Sequence, residues 1–292
     1  MATARANGID IEYETFGDPT DAVMLLIMGL GGQLVVWDDE LCTQLAGHGF
    51  RVIRYDNRDV GLSTKIEGGP VPDIMAVVQG DRSSVPYALD DMAADATGLL
   101  DALGIENAHV VGVSMGGMIA QVVTIDHPDR VLSLASIMST TGDPSVGAPT
   151  PEAMAVLMRP PAEDRDGVIA AEVESTRAIG SPGFPFDEER TRSRAAANYD
   201  RSFYPQGVAR QVAAVVSASD RTERLSHIDV PTVVIHGTAD PLVTPSGGEA
   251  TAKAIPGAEL IMVEGMGHEL PPGSWPTVVD AVVRNAAKAG SR

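Results

Sequence analysis

Cysteine is nearly missing from this chain. Cys42 stands alone among 292 residues, so no intrachain disulfide can form and no cysteine-based metal cluster is available. Cationic side chains are also scarce, with 21 Lys and Arg against 40 Asp and Glu and a formal net charge of −19. Nucleic-acid binding needs clustered Lys and Arg to displace counterions, so this balance argues against a nucleic-acid partner and against attachment to anionic lipid. The acidity is read as a solubility feature. Long apolar runs are missing as well. Stretches such as Val23 to Leu30 fall far short of the roughly 20 residues that span a bilayer, so no integral membrane segment is expected. The opening residues, MATARANGIDIEYETFG, hold no apolar run of signal-peptide length, and a cytoplasmic location is the expectation. Internal repeats and low-complexity tracts are absent too.

What is present is ordinary globular composition, 44% hydrophobic and 21% charged, in a length that suits one large α/β unit or a core with one inserted subdomain. Short β-rich runs alternate with helical patterns. Ile9–Thr15 alternates and ends at the turn signal Gly17-Asp18-Pro19, whereas Val23–Met28 is continuously apolar, as a strand buried on both faces requires. A short helix over Asp38–Gly47 precedes a strand at Arg51–Tyr55. Leu89–Leu103 places Met92, Ala96, Leu99, Leu100 and Leu103 on one face, with an acidic first turn and Gly104 as a C-cap. Val110–Val113 reads as a strand, Met115–Asp126 as an apolar helix and Leu132–Met138 as another strand. From about Gly142 to Ser226 the rhythm breaks into amphipathic helices and turns rich in proline, among them Pro144, Pro149, Pro151, Pro160, Pro161, Pro182 and Pro185. Strands resume at Thr232–His236 and Leu260–Val263, and a helix over Thr277–Ala287 closes the pattern. The expectation is a mostly parallel sheet covered by helices on both faces. Residues 1–140 and 227–292 would form the core, and 141–226 a helical cap over the sheet's C-terminal edge, where such folds place their sites.

The strongest local signal is Gly112-Val113-Ser114-Met115-Gly116, set between a buried strand and an apolar helix. A serine on so sharp a turn needs small residues two before and two after it, and Gly112 and Gly116 supply them; Gly117 eases the approach of helix to sheet. The turn also aims the Met115 N–H, at the positive end of a helix, towards developing negative charge. A serine hydroxyl attacks only when a base takes its proton, and the base needs an orienting acid. Asp240 follows the strand Thr232–His236, and His268 follows Leu260–Val263 on the glycine-flanked run Gly265-Met266-Gly267-His268-Glu269. Ser, Asp, His is therefore the order of the candidates Ser114, Asp240 and His268. Asp143, just after Leu132–Met138, is the rival for the acid. The other histidines carry ordinary readings: His127 at a helix end, His236 at the end of a buried strand, and His48, His109 and His227 beside turns. The loop Met28-Gly29-Leu30-Gly31-Gly32-Gln33 can supply the second oxyanion donor, so the expected pair is the N–H of Leu30 and of Met115.

From Ile9 to the last helix these motifs resemble the α/β-hydrolase superfamily, a mostly parallel sheet with a helical cap inserted after the sixth strand. The runs Leu26-Ile-Met-Gly-Leu-Gly-Gly32 and Arg54-Tyr-Asp-Asn-Arg-Asp-Val-Gly-Leu-Ser-Thr64 resemble a bacterial carboxylesterase/lipase subgroup that includes the aclacinomycin methylesterases. The resemblance implies a triad on Ser114, Asp240 and His268 and no cofactor. Two departures from the wider superfamily stand out: Met28-Gly29 replaces a common His-Gly, and Asp59 follows Arg58 where Arg-Gly is common. Both fit the subgroup, and a serine at position 114 departs from the aspartate nucleophile of dehalogenases and epoxide hydrolases. The expected reaction is hydrolysis of a carboxylic ester, with thioesters and lipid esters as further candidates, on a small-molecule apolar substrate through an acyl-enzyme, with no metal. Methionines near the motifs (Leu30 beside Met115, Met118, Met138 and Met266, with Met154 and Met158 in the insertion) suit a varied apolar ligand or simply fill the core. Phe184, Phe186, Tyr199, Phe203 and Tyr204 are likewise a pocket roof or helix packing. Alternatives are perhydrolysis or C–C bond hydrolysis on the same residues, and a non-catalytic ligand receptor on the same fold.

Overall fold

The computed structural model describes residues 1–68, 71–160 and 162–290. Pro161, one of the prolines expected in the insertion, lies outside the described residues, as do Ser291 and Arg292 at the end of the expected core. The strands are β1 (Ala2–Ala6), β2 (Ile9–Phe16), β3 (Ala22–Ile27), β4 (Phe50–Tyr55), β5 (Ala108–Val113), β6 (Val131–Ile137), β7 (Thr232–Gly237) and β8 (Glu259–Val263). They form one sheet in the order β1-β2-β4-β3-β5-β6-β7-β8, antiparallel from β1 to β4 and parallel from there on. The helices are α1 (Asp39–Ala46), α2 (Ile74–Val78), α3 (Leu89–Ala102), α4 (Met115–Asp126), α5 (Pro151–Leu157), α6 (Arg165–Ile179), α7 (Glu188–Arg201), α8 (Pro205–Val216), α9 (Thr222–Leu225), α10 (Pro245–Ala254) and α11 (Trp275–Ala287).

Side chains alternate across a strand, and here the alternation sorts β3 into two cores. Leu25 and Ile27 join Met92, Ala96 and Leu99 of α3 and Ile119 of α4 on one face of the sheet. Met24 and Leu26 join Leu41 and Leu45 of α1 and Val278 and Val282 of α11 on the other. A strand serving two cores has no polar face to offer, which is why Val23–Met28 reads as an unbroken apolar run. The loops at the C-terminal ends of β3, β5, β7 and β8 thereby meet along one edge.

Three elements escaped the sequence pattern, the short α2 among them. β1 alternates only alanine with Thr3 and Arg5 and three of its five residues are exposed, and Asn7 and Gly8, both at positive φ, turn it back onto β2 as a tight hairpin. α10 carries two glycines and no apolar stripe; Gly248 lets it pack on His236, where an added Cβ would lie 2.4 Å from the ring's Nδ1. The helices α5 to α9 all fall between β6 and β7, and no strand lies among them within the described residues. Thr150, Asp164 and Asp187 cap the first three through their side chains, and Pro151 and Pro205 open α5 and α8.

One ion pair ties the β4–α2 connection into the core. The Arg58 guanidinium donates to both carboxylate oxygens of Asp95 on α3, at 2.6 and 2.7 Å, and Asp95 is 1% exposed. Asn7 adds a third bond to the same carboxylate. Deleting one partner of a buried pair leaves the other charge stranded, at a cost of about 3–5 kcal/mol. Asp95→Ala is expected to lower the unfolding free energy by about that amount in urea titration; a loss under about 1 kcal/mol means the pair is solvated in solution.

Candidate active site

The turn from β5 into α4 is forced by close packing. Ser114 adopts φ 56° and ψ −121°, a region that costs a residue with a Cβ about 1–3 kcal/mol. Its neighbours hold it there. The Ser114 N–H donates to the Ile137 carbonyl at 2.9 Å, and the Ser114 carbonyl accepts from Gly117 and Met118. A Cβ at Gly112 would sit 2.1 Å from the Gly116 carbonyl oxygen, and one at Gly116 would sit 2.1 Å from the Ile27 oxygen. Larger residues would push α4 off the sheet. The strain is therefore balanced by packing that only glycine permits.

The hydroxyl so presented meets groups from the far end of the chain. His268 Nε2 lies 2.9 Å from Ser114 Oγ, and His268 Nδ1 lies 2.8 Å from Asp240 Oδ2. Asp240 is 2% exposed, and its second oxygen accepts the N–H groups of Leu242 and Val243 at 2.9 and 3.0 Å. Burial pushes this carboxyl up; the contacts from His236 and His268 outweigh it and hold it at about 2. An ionised Asp240 accepts a hydrogen bond from Nδ1–H of His268, which leaves Nε2 as the acceptor for the serine hydroxyl. His236 Nε2 lies 2.7 Å from the Val243 carbonyl and 3.5 Å from Asp240 Oδ2. Asp143, the rival acid, accepts from Ser145 within its own turn. Of the remaining histidines, His109 bonds Ser133 and is pushed down to about 4 by burial, while His48 and His227 are exposed.

The loop after β3 passes directly over this serine. A Cβ on Gly29 would be 3.1 Å from Ser114 Cβ, and Asn57 donates to the Met28 carbonyl at 2.9 Å. Among the described residues no protein acceptor pairs with the Leu30 or Met115 N–H, which leaves both free for an oxyanion. Met28, Met115, Met118, Met138 and Met266 are all buried around these elements, whereas Met154 and Met158 on and beside α5 are exposed. Phe184 packs on the α1–α11 core, and Tyr199 stacks on Phe203 at 4.7 Å.

The segment joining α6 and α7 grips the loop that carries His268. The His268 N–H donates to the Ile179 carbonyl at 2.7 Å, Gly267 donates to Ser181 Oγ at 3.0 Å, Gly183 donates to Gly265 at 2.9 Å, and Glu269 accepts from Ser181 at 2.9 Å. Neither this segment nor Asn57 was marked as a site feature by the sequence; Asn57 lies inside the Arg54–Thr64 run, but no spacing rule links it to Met28.

A family model described as the alpha/beta hydrolase fold matches residues 22–271. Rhodomycin D methylesterase DnrP of Streptomyces peucetius is 33% identical over 279 residues, covering 88% of either chain. The rhodomycin D methylesterase DauP of Streptomyces sp. strain C5 matches at the same identity and coverage. Among solved structures, a thermophilic esterase from Thermogutta terrifontis superposes with a TM-score of 0.69 at 25% identity, covering 99% of both chains. The enol-lactonase from Burkholderia xenovorans LB400 gives 0.72 at 24% identity over 99% of both, a likeness of fold. No helix among the described residues is long and apolar enough to cross a membrane.

Asp240 links this geometry to pH. A carboxyl held at about 2, against 3.8 for the free group, stabilises the fold above the unfolded value and loses that contribution as pH falls through the folded one. The difference corresponds to about 2 kcal/mol. Urea midpoints of the wild type are expected to fall more steeply between pH 4 and 2 than those of Asp240→Asn, and parallel curves would remove the assignment.

Proposed function

The chain belongs to the α/β-hydrolase family and is a carboxylic ester hydrolase, and we propose that it works by two-step acyl transfer through Ser114. Ser114 Oγ attacks the ester carbonyl carbon while His268 Nε2 takes its proton, and Asp240 holds the imidazole and stabilises the cation that forms. The N–H groups of Leu30 and Met115 receive the tetrahedral oxyanion. His268 returns the proton to the departing alkoxide, an alcohol leaves, and water repeats the sequence to release the acid. The single observation that supports this reading best is the continuous hydrogen-bonded path from Ser114 Oγ through His268 to Asp240, at 2.9 and 2.8 Å. The residues of α5 to α9, within 141–226, act as the cap over this edge.

For the substrate, we propose a methyl ester of a bulky, largely apolar acid. The methylesterase names of the relatives at 33% identity support a small alcohol as leaving group. No step calls for a cofactor, since the nucleophile, base and oxyanion donors are all protein groups.

Ser114→Ala is expected to abolish labelling by a fluorophosphonate probe and to lower turnover of a short p-nitrophenyl ester by about four orders of magnitude or more. Asp240→Asn, which supplies the wrong partner for Nδ1, is expected to lower kcat by about 10⁴ with KM little changed. Ester turnover that survives Ser114→Ala would falsify the scheme. Methanol release from a graded panel of methyl esters tests the substrate class, and a preference for long alkoxy groups over methoxy would overturn it.

A further inference from the structure

The proposed oxyanion loop is built from glycines, and glycine-rich loops do not hold a single shape unaided. Gly29 and Gly31 flank Leu30, and Gly31 sits at φ +67°. Two glycines around one donor leave the adjoining peptide planes free to rotate, and an N–H that rotates away from the oxygen contributes nothing. Something outside the loop has to select one arrangement.

That contact comes from α8. Gln211 is fully buried, although a glutamine amide has four hydrogen-bonding sites to satisfy. Its Oε1 accepts the Gly31 N–H at 2.8 Å, and its Nε2 donates to the Arg58 carbonyl at 2.9 Å. One side chain thus spans from the loop after β3 to the connection after β4. The surroundings fix where the amide sits. Val208, one turn earlier on α8, has its methyl groups 3.2 and 3.4 Å from the position a Cβ on Gly31 would take. Gly207 lies so close to Asp59 that a Cβ there would be 2.1 Å from its carbonyl oxygen, and Arg210 pairs with the Asp59 carboxylate at 3.2 Å. The helix is seated on the Arg58–Asp59 backbone, and Gln211 reaches from that seat to the loop. From the other side Asn57 holds the Met28 carbonyl.

We propose that Gln211 is a positioning residue for the oxyanion hole: its bond to Gly31 fixes the Leu30–Gly31 peptide, and the restricted φ and ψ of Leu30 carry that constraint to the preceding Gly29–Leu30 peptide, whose N–H faces the reacting oxygen. It touches neither substrate nor the reacting atoms. This inference rests on the acyl-transfer reading above. The effect is confined to states in which the carbonyl oxygen carries charge, so a loose loop raises the barrier and leaves ground-state binding alone.

Gln211→Met keeps length and burial but loses both hydrogen bonds. We expect kcat to fall ten- to a hundredfold with KM within about twofold, because removing an oxyanion donor outright costs about 10²–10³ and here the donor is only misaimed. The inhibition constant of a trifluoromethyl ketone, whose adduct with serine is a tetrahedral oxyanion, should rise by the same factor as kcat/KM falls. Gln211→Glu is the companion variant: its buried carboxyl stays protonated, accepts from Gly31 and donates to Arg58, so it should recover most of the rate. Wild-type kcat in Gln211→Met, or a loss carried by KM with the ketone's affinity unchanged, overturns the proposal. Gln211→Glu as slow as Gln211→Met while equally folded by circular dichroism does the same. Failure of the acyl-transfer reading would show separately, as a wild-type enzyme whose ester turnover survives Ser114→Ala.

Discussion

The approach of α4 to β5, close enough that a methyl group would break it, is the constraint on which the rest of the structure depends. Gly112 and Gly116 touch across the turn, and Gly117 lies against Ser139, where a Cβ would come within 2.6 Å. Three small residues let the helix begin immediately after the strand, and the left-handed backbone of Ser114 is what remains when strand and helix are both satisfied. A residue in that conformation projects its side chain out of the turn. Its hydroxyl therefore stands at the sheet edge, away from the two apolar cores that flank the strands. Local strain and global packing are one fact here, since the buried, wholly apolar start of α4 supplies the contacts that hold Ser114 in place.

A presented hydroxyl is inert without a base, and the imidazole proposed for that role is held by long-range contacts. His268 is 154 residues from Ser114 along the chain, and parallel pairing of β5, β6, β7 and β8 brings their ends together. The acid is buried yet ionised, which water-free surroundings oppose. Two backbone N–H groups on one oxygen and the imidazole on the other replace the lost hydration. The same bonds pin the rotamer, so the contacts that keep the charge also keep the geometry.

How much of this could be read beforehand follows from the range of each interaction. The strands of the parallel sheet and the helices α1, α3, α4 and α11 are written in apolar periodicity, and their ends fall within a few residues of the pattern. Ser114, Asp240 and His268 were legible because each lies on a short run whose residue types the turn itself demands. β1 was hidden because its alternation is of alanine alone, too small a side chain to mark a buried face, although Asn7-Gly8 carried the hairpin signal. α10 was hidden because its packing on His236 needs glycines that a propensity argument reads as a break. Gln211, Asn57 and the Ile179–Gly183 segment were illegible for a different reason. Their partners lie far away in sequence and are backbone atoms, which leave no mark on residue type at the other end.

The helical stretch between β6 and β7 is then more than a cover. It supplies the acceptor for His268 N–H and the donor to Glu269 through Ile179 and Ser181, and it supplies Gln211 to Gly31. It is also bound to the core by Arg201 to Asp56 at 2.7 Å and Arg210 to Asp59 at 3.2 Å, with both carboxylates fully buried. Charge-assisted bonds of this kind contribute about 1.5–3 kcal/mol each. Swinging the whole unit open would forfeit several of them and release both loops that flank Ser114. α5 stands apart from these bonds: its Met154 and Leu157 remain exposed, and it packs on α6. The residues of this stretch nearest the serine, Ile179, Ser181 and Gln211, are also those that hold the loops around it in line.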